Sequence, residues 1–198
     1  GLTRALLAVA VLLAGAWLYA RVLSPVPFYG TPRGGAPART FVATDQTGRP
    51  FDLASTRGQV VALFFGFTHC PNICPLTLSY LEKARAELPA DLRGDLRVVF
   101  VSLDPDRDTP GVIGTYLKFF GPDLVGLRLT EPKLADVARS YDVTYAKANA
   151  KGSDYFINHT TATYVIDREG RLRVAYDYTQ MPEYRRVARD LERLMKEK

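Results

Sequence analysis

The chain has 198 residues and a formal charge of +5, from 26 basic and 21 acidic side chains. Its 47% hydrophobic and 24% charged content, with eleven Tyr and ten Phe, excludes a disordered or fibrous chain and suits a globular core. Basic residues are scattered from Arg4 to Lys198, with no run longer than Arg185-Arg186, unlike the stripe a nucleic-acid partner needs; the two cysteines are too few for a disulfide-stapled scaffold.

In chain order, Ala5 to Ala20 comes first, sixteen residues without a charge between Arg4 and Arg21. A spanning helix usually needs about 20 apolar residues, a length this segment reaches if the flanking arginines snorkel. A cleaved signal is the rival reading, with Ala5 to Leu13 as its apolar core and Ala14-Gly15-Ala16 as the cleavage site. Residues 1–23 are expected to be a membrane anchor or uncleaved signal, 24–39 a Pro/Gly linker, and 40–198 one folded domain. Charge alone argues against export of that domain, because Arg21, Arg33 and Arg39 follow the segment and only Arg4 precedes it.

Phe41 to Thr44 and Phe51 to Leu53, separated by the turn residues Asp45-Gln46-Thr47-Gly48, predict a small hairpin. The apolar run from Val60 to Phe67 predicts a strand covered on both faces. Leu78, Leu81, Ala84 and Leu88 recur at helical spacing, and Leu96 to Ser102 predicts the next strand. Helices are expected over Val112 to Phe120 and Leu134 to Tyr141, the latter opened by Thr130 as N-cap. Ala162 to Ile166 and Leu172 to Tyr176 flank the turn Asp167-Arg168-Glu169-Gly170 as a second hairpin, and Tyr184, Val187, Leu191, Leu194 and Met195 mark a closing amphipathic helix. A βαβ unit followed by a hairpin and a helix is the thioredoxin-like α/β plan, here with an extra N-terminal hairpin and one preceding transmembrane helix.

Cys70 and Cys74 fall at the carboxyl end of the first strand of that unit, where open α/β sheets place their sites. Residues four apart share a helix face, so coiling from Pro71 would make the two sulfurs converge. A helix start favours thiolate, the form that binds metals and attacks disulfides. Two thiolates suit soft Cu(I), with imidazole as a compatible third donor. Zinc, which normally takes four protein ligands, would have to recruit both His69 and His159. The residues alone leave His159 open between ligand and backbone-bonded loop histidine, and His69 between ligand, base and loop residue. Asp104-Pro105-Asp106-Arg107-Asp108 reads as a turn and cap whose carboxylates do not suit Cu(I).

Phe65-Gly66-Phe67-Thr68-His69-Cys70-Pro71-Asn72-Ile73-Cys74-Pro75 closely resembles the first signature of the Sco/SenC family of membrane-tethered copper-binding proteins. Val101 to Thr109 resembles its second signature, and Asp154-Tyr155 with Asn158-His159-Thr160 the segment carrying its distant histidine. The resemblance covers about residues 40 to 195 in order. It implies copper, as Cu(I) with Cu(II) also open, held by Cys70, Cys74 and His159, and a metallochaperone role in maturing the binuclear copper centre of cytochrome c oxidase subunit II, with the copper donor unidentified. It also implies an inner-membrane protein whose folded domain is periplasmic. Asn72 departs from the Asp that the family often has between the cysteines. The alternative is a thiol-disulfide oxidoreductase in which Cys70 and Cys74 are the catalytic pair, although thioredoxin-type enzymes place two residues between their cysteines and three stand here. Peroxide reduction, suggested by Thr68-His69-Cys70-Pro71, is a remoter reading.

Overall fold

The computed structural model describes residues 1–23, 27–151 and 154–197. Helix α1 (Leu2–Leu23) is long and apolar enough to cross a membrane over Leu2–Tyr19, and none of that stretch is buried against protein. The folded part then runs β1 (Thr31–Pro32), β2 (Val42–Asp45), β3 (Pro50–Asp52), β4 (Val60–Gly66), α2 (Ile73–Glu87), β5 (Leu96–Ser102), α3 (Pro110–Leu117), β6 (Val125–Arg128), α4 (Lys133–Ser140), β7 (Tyr145–Lys151), β8 (Asp154–His159), β9 (Thr163–Ile166), β10 (Leu172–Tyr176) and α5 (Tyr184–Lys196).

Eight strands form one sheet in the order β1-β10-β9-β4-β5-β6-β2-β3, with β7 and β8 as a separate two-stranded hairpin. The centre is β4, parallel to β5 and antiparallel to β9, and every one of its seven residues is buried. That explains its unbroken apolar run: a strand covered on both faces has no solvent side on which to alternate. Strand β6 extends the parallel set beside β5. Here Gly126 lets α3 close on the sheet, since a Cβ would stand 2.2 Å from Ile113 Cγ2. The thioredoxin-like plan and the extra N-terminal hairpin, β2 with β3, are as the periodicities predict.

Three details differ from the sequence expectation. The stretch read as linker lies partly outside the described residues, but from Pro27 onward it is seated on the domain. Thr31 and Pro32 pair with Ala175 and Val174, and Asp190 of α5 accepts the Tyr29 and Gly30 N–H groups at 2.8 and 3.1 Å. Thr130 is not a cap: its carbonyl accepts from Leu134, and the Glu131 carboxylate takes the Ala135 N–H at the first turn of α4. Finally, the hairpin β7–β8 was not anticipated, and it carries the distant histidine.

Candidate metal centre

The thiols sit where β4 hands over to α2. Helix α2 begins at Ile73, two residues later than coiling from Pro71 would place it, and its Asn72 N-cap makes no side-chain bond. Cys70 Sγ takes over that task, accepting the Cys74 N–H at 3.4 Å. A sulfur that accepts a helix N-terminal N–H is favoured as thiolate. Cys70 is half-buried, Cys74 is fully buried, and both are free. The hydrogen bond from the Cys74 thiol is the main influence that lowers the Cys70 pKa well below the ordinary thiol range; His159 and the backbone N–H groups of Cys74 and Asn72 add to it against the opposing effect of burial. The same thiol pairing, reinforced by burial, raises the Cys74 pKa. One proton shared by two sulfurs therefore stays on the inner one. Gly66 makes room for that sulfur, because a Cβ there would lie 2.9 Å from Cys74 Sγ.

His159 arrives from the other side, as the last residue of β8. The strand alternates: Tyr155 and Ile157 are buried, Phe156 is exposed, and His159 shares the inward face with the buried pair. Its Nε2 is 3.9 Å from Cys74 Sγ, and its ring meets Phe67 edge-on at 5.8 Å. Nδ1 is 2.8 Å from the Thr160 carbonyl. A carbonyl only accepts, so Nδ1 carries a proton, and Nε2 is the nitrogen turned to the thiols, offering its lone pair when the ring is neutral, the form that binds a metal. Donor-to-metal distances of about 2.3 Å for sulfur and about 2.0 Å for nitrogen allow two donors of one ion to be up to about 4.3 Å apart, so 3.9 Å is compatible with a shared ion.

The acidic turn after β5 supports both halves. Asp108 is fully buried and accepts the Thr68 N–H at 3.0 Å, the Thr68 hydroxyl and the Ser102 hydroxyl at 2.6 Å, which fixes the loop leading into Cys70. Asp104, also buried, pairs with Arg107 and accepts the Tyr155 hydroxyl at 2.6 Å. Arg107 in turn lies 3.6 Å over the Tyr155 ring and donates to its carbonyl at 3.0 Å. Lys147 of β7 covers the same ring and pairs with Asp106 at 2.7 Å. The segment Asp104 to Asp108 is thus more than the turn and cap its composition suggests. It ties the thiol loop to the histidine hairpin.

His69 turns away from that convergence: Nδ1 is 3.2 Å from the Thr68 hydroxyl and 3.8 Å from Asp108. Donor atoms of His69, Asp104 and Asp108 lie within 4.8 Å of one another. The carboxylates, however, already receive Thr68, Ser102, Arg107 and Tyr155. A two-cysteine, two-histidine zinc centre is not assembled. Sequence reading also passed over Tyr116, which packs on Phe100 and Phe120 with its hydroxyl buried and without a hydrogen-bond partner. Burial raises its pKa, and negative charge on the Cys70 thiolate and Asp108 raises it further.

Residues 31–196 match the SCO1/SenC family profile. The chain belongs to the SCO1/SenC family. An SCO2-like protein of Rickettsia prowazekii is 38% identical over 133 residues, 66% of this chain and 64% of that relative, so less than two thirds of its length is matched. Among solved structures, apo Sco1 from Thermus thermophilus superposes with a TM-score of 0.77 at 37% identity, covering 86% of this chain and 99% of that one. Bradyrhizobium japonicum ScoI, solved with copper bound, gives a TM-score of 0.72 at 34% identity, covering 80% and 99%. This SCO1/SenC chain differs from its sequence-based expectation chiefly in the setting of His159, which ends a strand pinned from beneath instead of occupying a free loop.

Proposed function

We propose that this protein is a copper metallochaperone that holds one Cu(I) ion through Cys70 Sγ, Cys74 Sγ and His159 Nε2 and hands it by ligand exchange to the binuclear centre of cytochrome c oxidase subunit II. The observation that carries this reading is the approach of His159 Nε2 to Cys74 Sγ at 3.9 Å, with the imidazole tautomer set by Thr160 so that a lone pair faces the sulfurs. The copper-bound ScoI relative supports the choice of ion, and family membership supports the acceptor. A donor protein would load the ion. Delivery to a protein also fits the rim of the site. Exposed Leu76 and Tyr178 share a cleft with Asn72 and Ile73 on one side, and exposed Val112 and Phe119 share one with Thr68 and His69 on the other. In this reading α1 anchors the chain in the inner membrane, and the folded domain works on the periplasmic side.

Titrating the reduced, oxygen-free protein tests the proposal. One equivalent of Cu(I) is expected, with metal-edge absorption reporting two sulfur scatterers and one nitrogen. A site of two sulfurs alone would remove His159 from the ligand set.

One observation favours a second reading. A half-buried, easily ionised Cys70 beside a buried, protonated Cys74 is the asymmetry of a dithiol pair. Cys70 thiolate would attack an acceptor disulfide and Cys74 would resolve the mixed disulfide. Two electrons and two protons would pass to the acceptor, leaving a Cys70–Cys74 bond. Reduction of an acceptor disulfide by copper-free His159→Ala at the wild-type rate would favour this role.

A further inference from the structure

Away from the thiols, helix α5 carries Arg186, Arg189 and Arg193 at three- and four-residue spacing, on one face. They line a cavity of about 580 Å³ together with Phe28 and Tyr29. Arg186 lies 4.0 Å over the Tyr29 ring and Arg193 lies 4.3 Å over the Phe28 ring. Arg186 and Arg189 are exposed and have no ion pair among the described residues. The carboxylate within this face, Asp190, is buried and turned inward, engaged by the N–H groups of Tyr29 and Gly30 and by the Tyr176 hydroxyl at 2.9 Å. It therefore clamps the start of the domain to α5; Arg193 pairs with Glu197 at 3.3 Å, so the positive charge of the outer face rests mainly on Arg186 and Arg189.

The chain's own length says what that face meets. Only residues 24–26 separate the end of α1 at Leu23 from Pro27 at the cavity's edge. Four trans peptide units reach at most about 15 Å. With α1 across a bilayer, Phe28 and Tyr29 are held within reach of the headgroup layer, and Asp190 binds α5 to them. We infer that the Arg186–Arg189–Arg193 face, with Phe28 and Tyr29, is a docking surface for anionic phospholipid headgroups that orients the folded domain on its own membrane. The arginines supply forked donors to lipid phosphate, and the two aromatic rings suit the interface. This rests on the reading of α1 as a membrane anchor. An acidic protein could also complement the charge, but the short tether keeps Phe28 and Tyr29, at the edge of this face, within reach of the lipid.

The full chain in lipid nanodiscs tests it, with phenylglyoxal modification of individual arginines followed by mass spectrometry. In discs containing about 30% phosphatidylglycerol, modification of Arg186 and Arg189 should be slowed about threefold or more relative to pure phosphatidylcholine discs, and salt at about 0.5 M should erase the difference. Arg49, on the β2–β3 turn, should react equally in both. Equal rates at Arg186 and Arg189 while the chain still elutes with the disc would overturn the docking surface. A chain that does not elute with the disc would overturn the anchor itself. Protection that appears only when an acidic protein is added would assign the face to that partner and overturn the lipid.

Discussion

The two arms of the candidate metal centre are built by opposite means. The thiol arm is local: Cys70 and Cys74 are joined by one helical turn, with the Cys74 N–H on Cys70 Sγ and a loop held by Asp108. The imidazole arm is assembled from a distance. His159 is 85 residues from Cys74, on a hairpin outside the main sheet that is secured through Tyr155 to Asp104 and Arg107 and through Lys147 to Asp106. One arm is thus part of the core, and the other depends on a hairpin outside the main sheet.

The sharpest way to break the comparison is to delete the donors. Cys70→Ala or Cys74→Ala should lower Cu(I) affinity by about a thousandfold or more, and His159→Ala by about a hundredfold, measured by competition with a Cu(I) chelator. Equal losses for all three would abolish the distinction between arms. Asp108→Ala should act on the thiol side through stability. It leaves the Thr68 and Ser102 donors unmatched in a fully buried site, costing about 3 kcal/mol and lowering Tm by about 10 °C. An unchanged melting curve would show that the turn does not brace the loop.

Tyr155→Phe is the gentler test of the imidazole side. Removing the hydroxyl from Asp104 should weaken Cu(I) binding about tenfold while the thiols alkylate at their wild-type rate. A change in thiol reactivity would mean the arms are coupled. The smallest expected change is in the pH profile of the copper-free thiols. An ordinary thiol near pKa 8.5 loses about tenfold in alkylation rate for each pH unit below that value. Cys70, with its pKa lowered, stays ionised as pH falls, so its rate should hold nearly level from about pH 8 to about pH 6, with modified Cys70 identified by peptide mapping. A tenfold fall per unit would refute thiolate stabilisation by the Cys74 thiol and the start of α2.

The contrast between arms also accounts for what could be read in advance. Strands β4 and β5, the β9–β10 hairpin and helix α5 announce themselves because each buries a continuous run, an alternating face or a helical stripe, and such periodicity is a property of neighbouring residues. Hairpin β7–β8 was missed. Its one cue, the inward alternation of Tyr155, Ile157 and His159, is blurred by exposed Phe156. The Thr130 cap failed because α4 begins only at Lys133, after Pro132, and there the Glu131 carboxylate takes the Ala135 N–H. The docked part of the linker was hidden because its partner, Asp190, stands 160 residues further along the chain.

By itself, then, the amino-acid sequence determined the thioredoxin-like order of elements and the meeting of Cys70 with Cys74, since both follow from local spacing. The resemblance of three separated motifs singled out His159. Tertiary structure alone decided that His159 faces Cys74 with Nε2, that Asp104 and Asp108 brace opposite arms, and that α5 turns its arginines toward Phe28 and Tyr29 at the start of the folded part. Those outcomes depend on contacts between residues tens to well over a hundred positions apart. No local periodicity records such contacts; they exist only once burial of the shared core has closed the intervening chain.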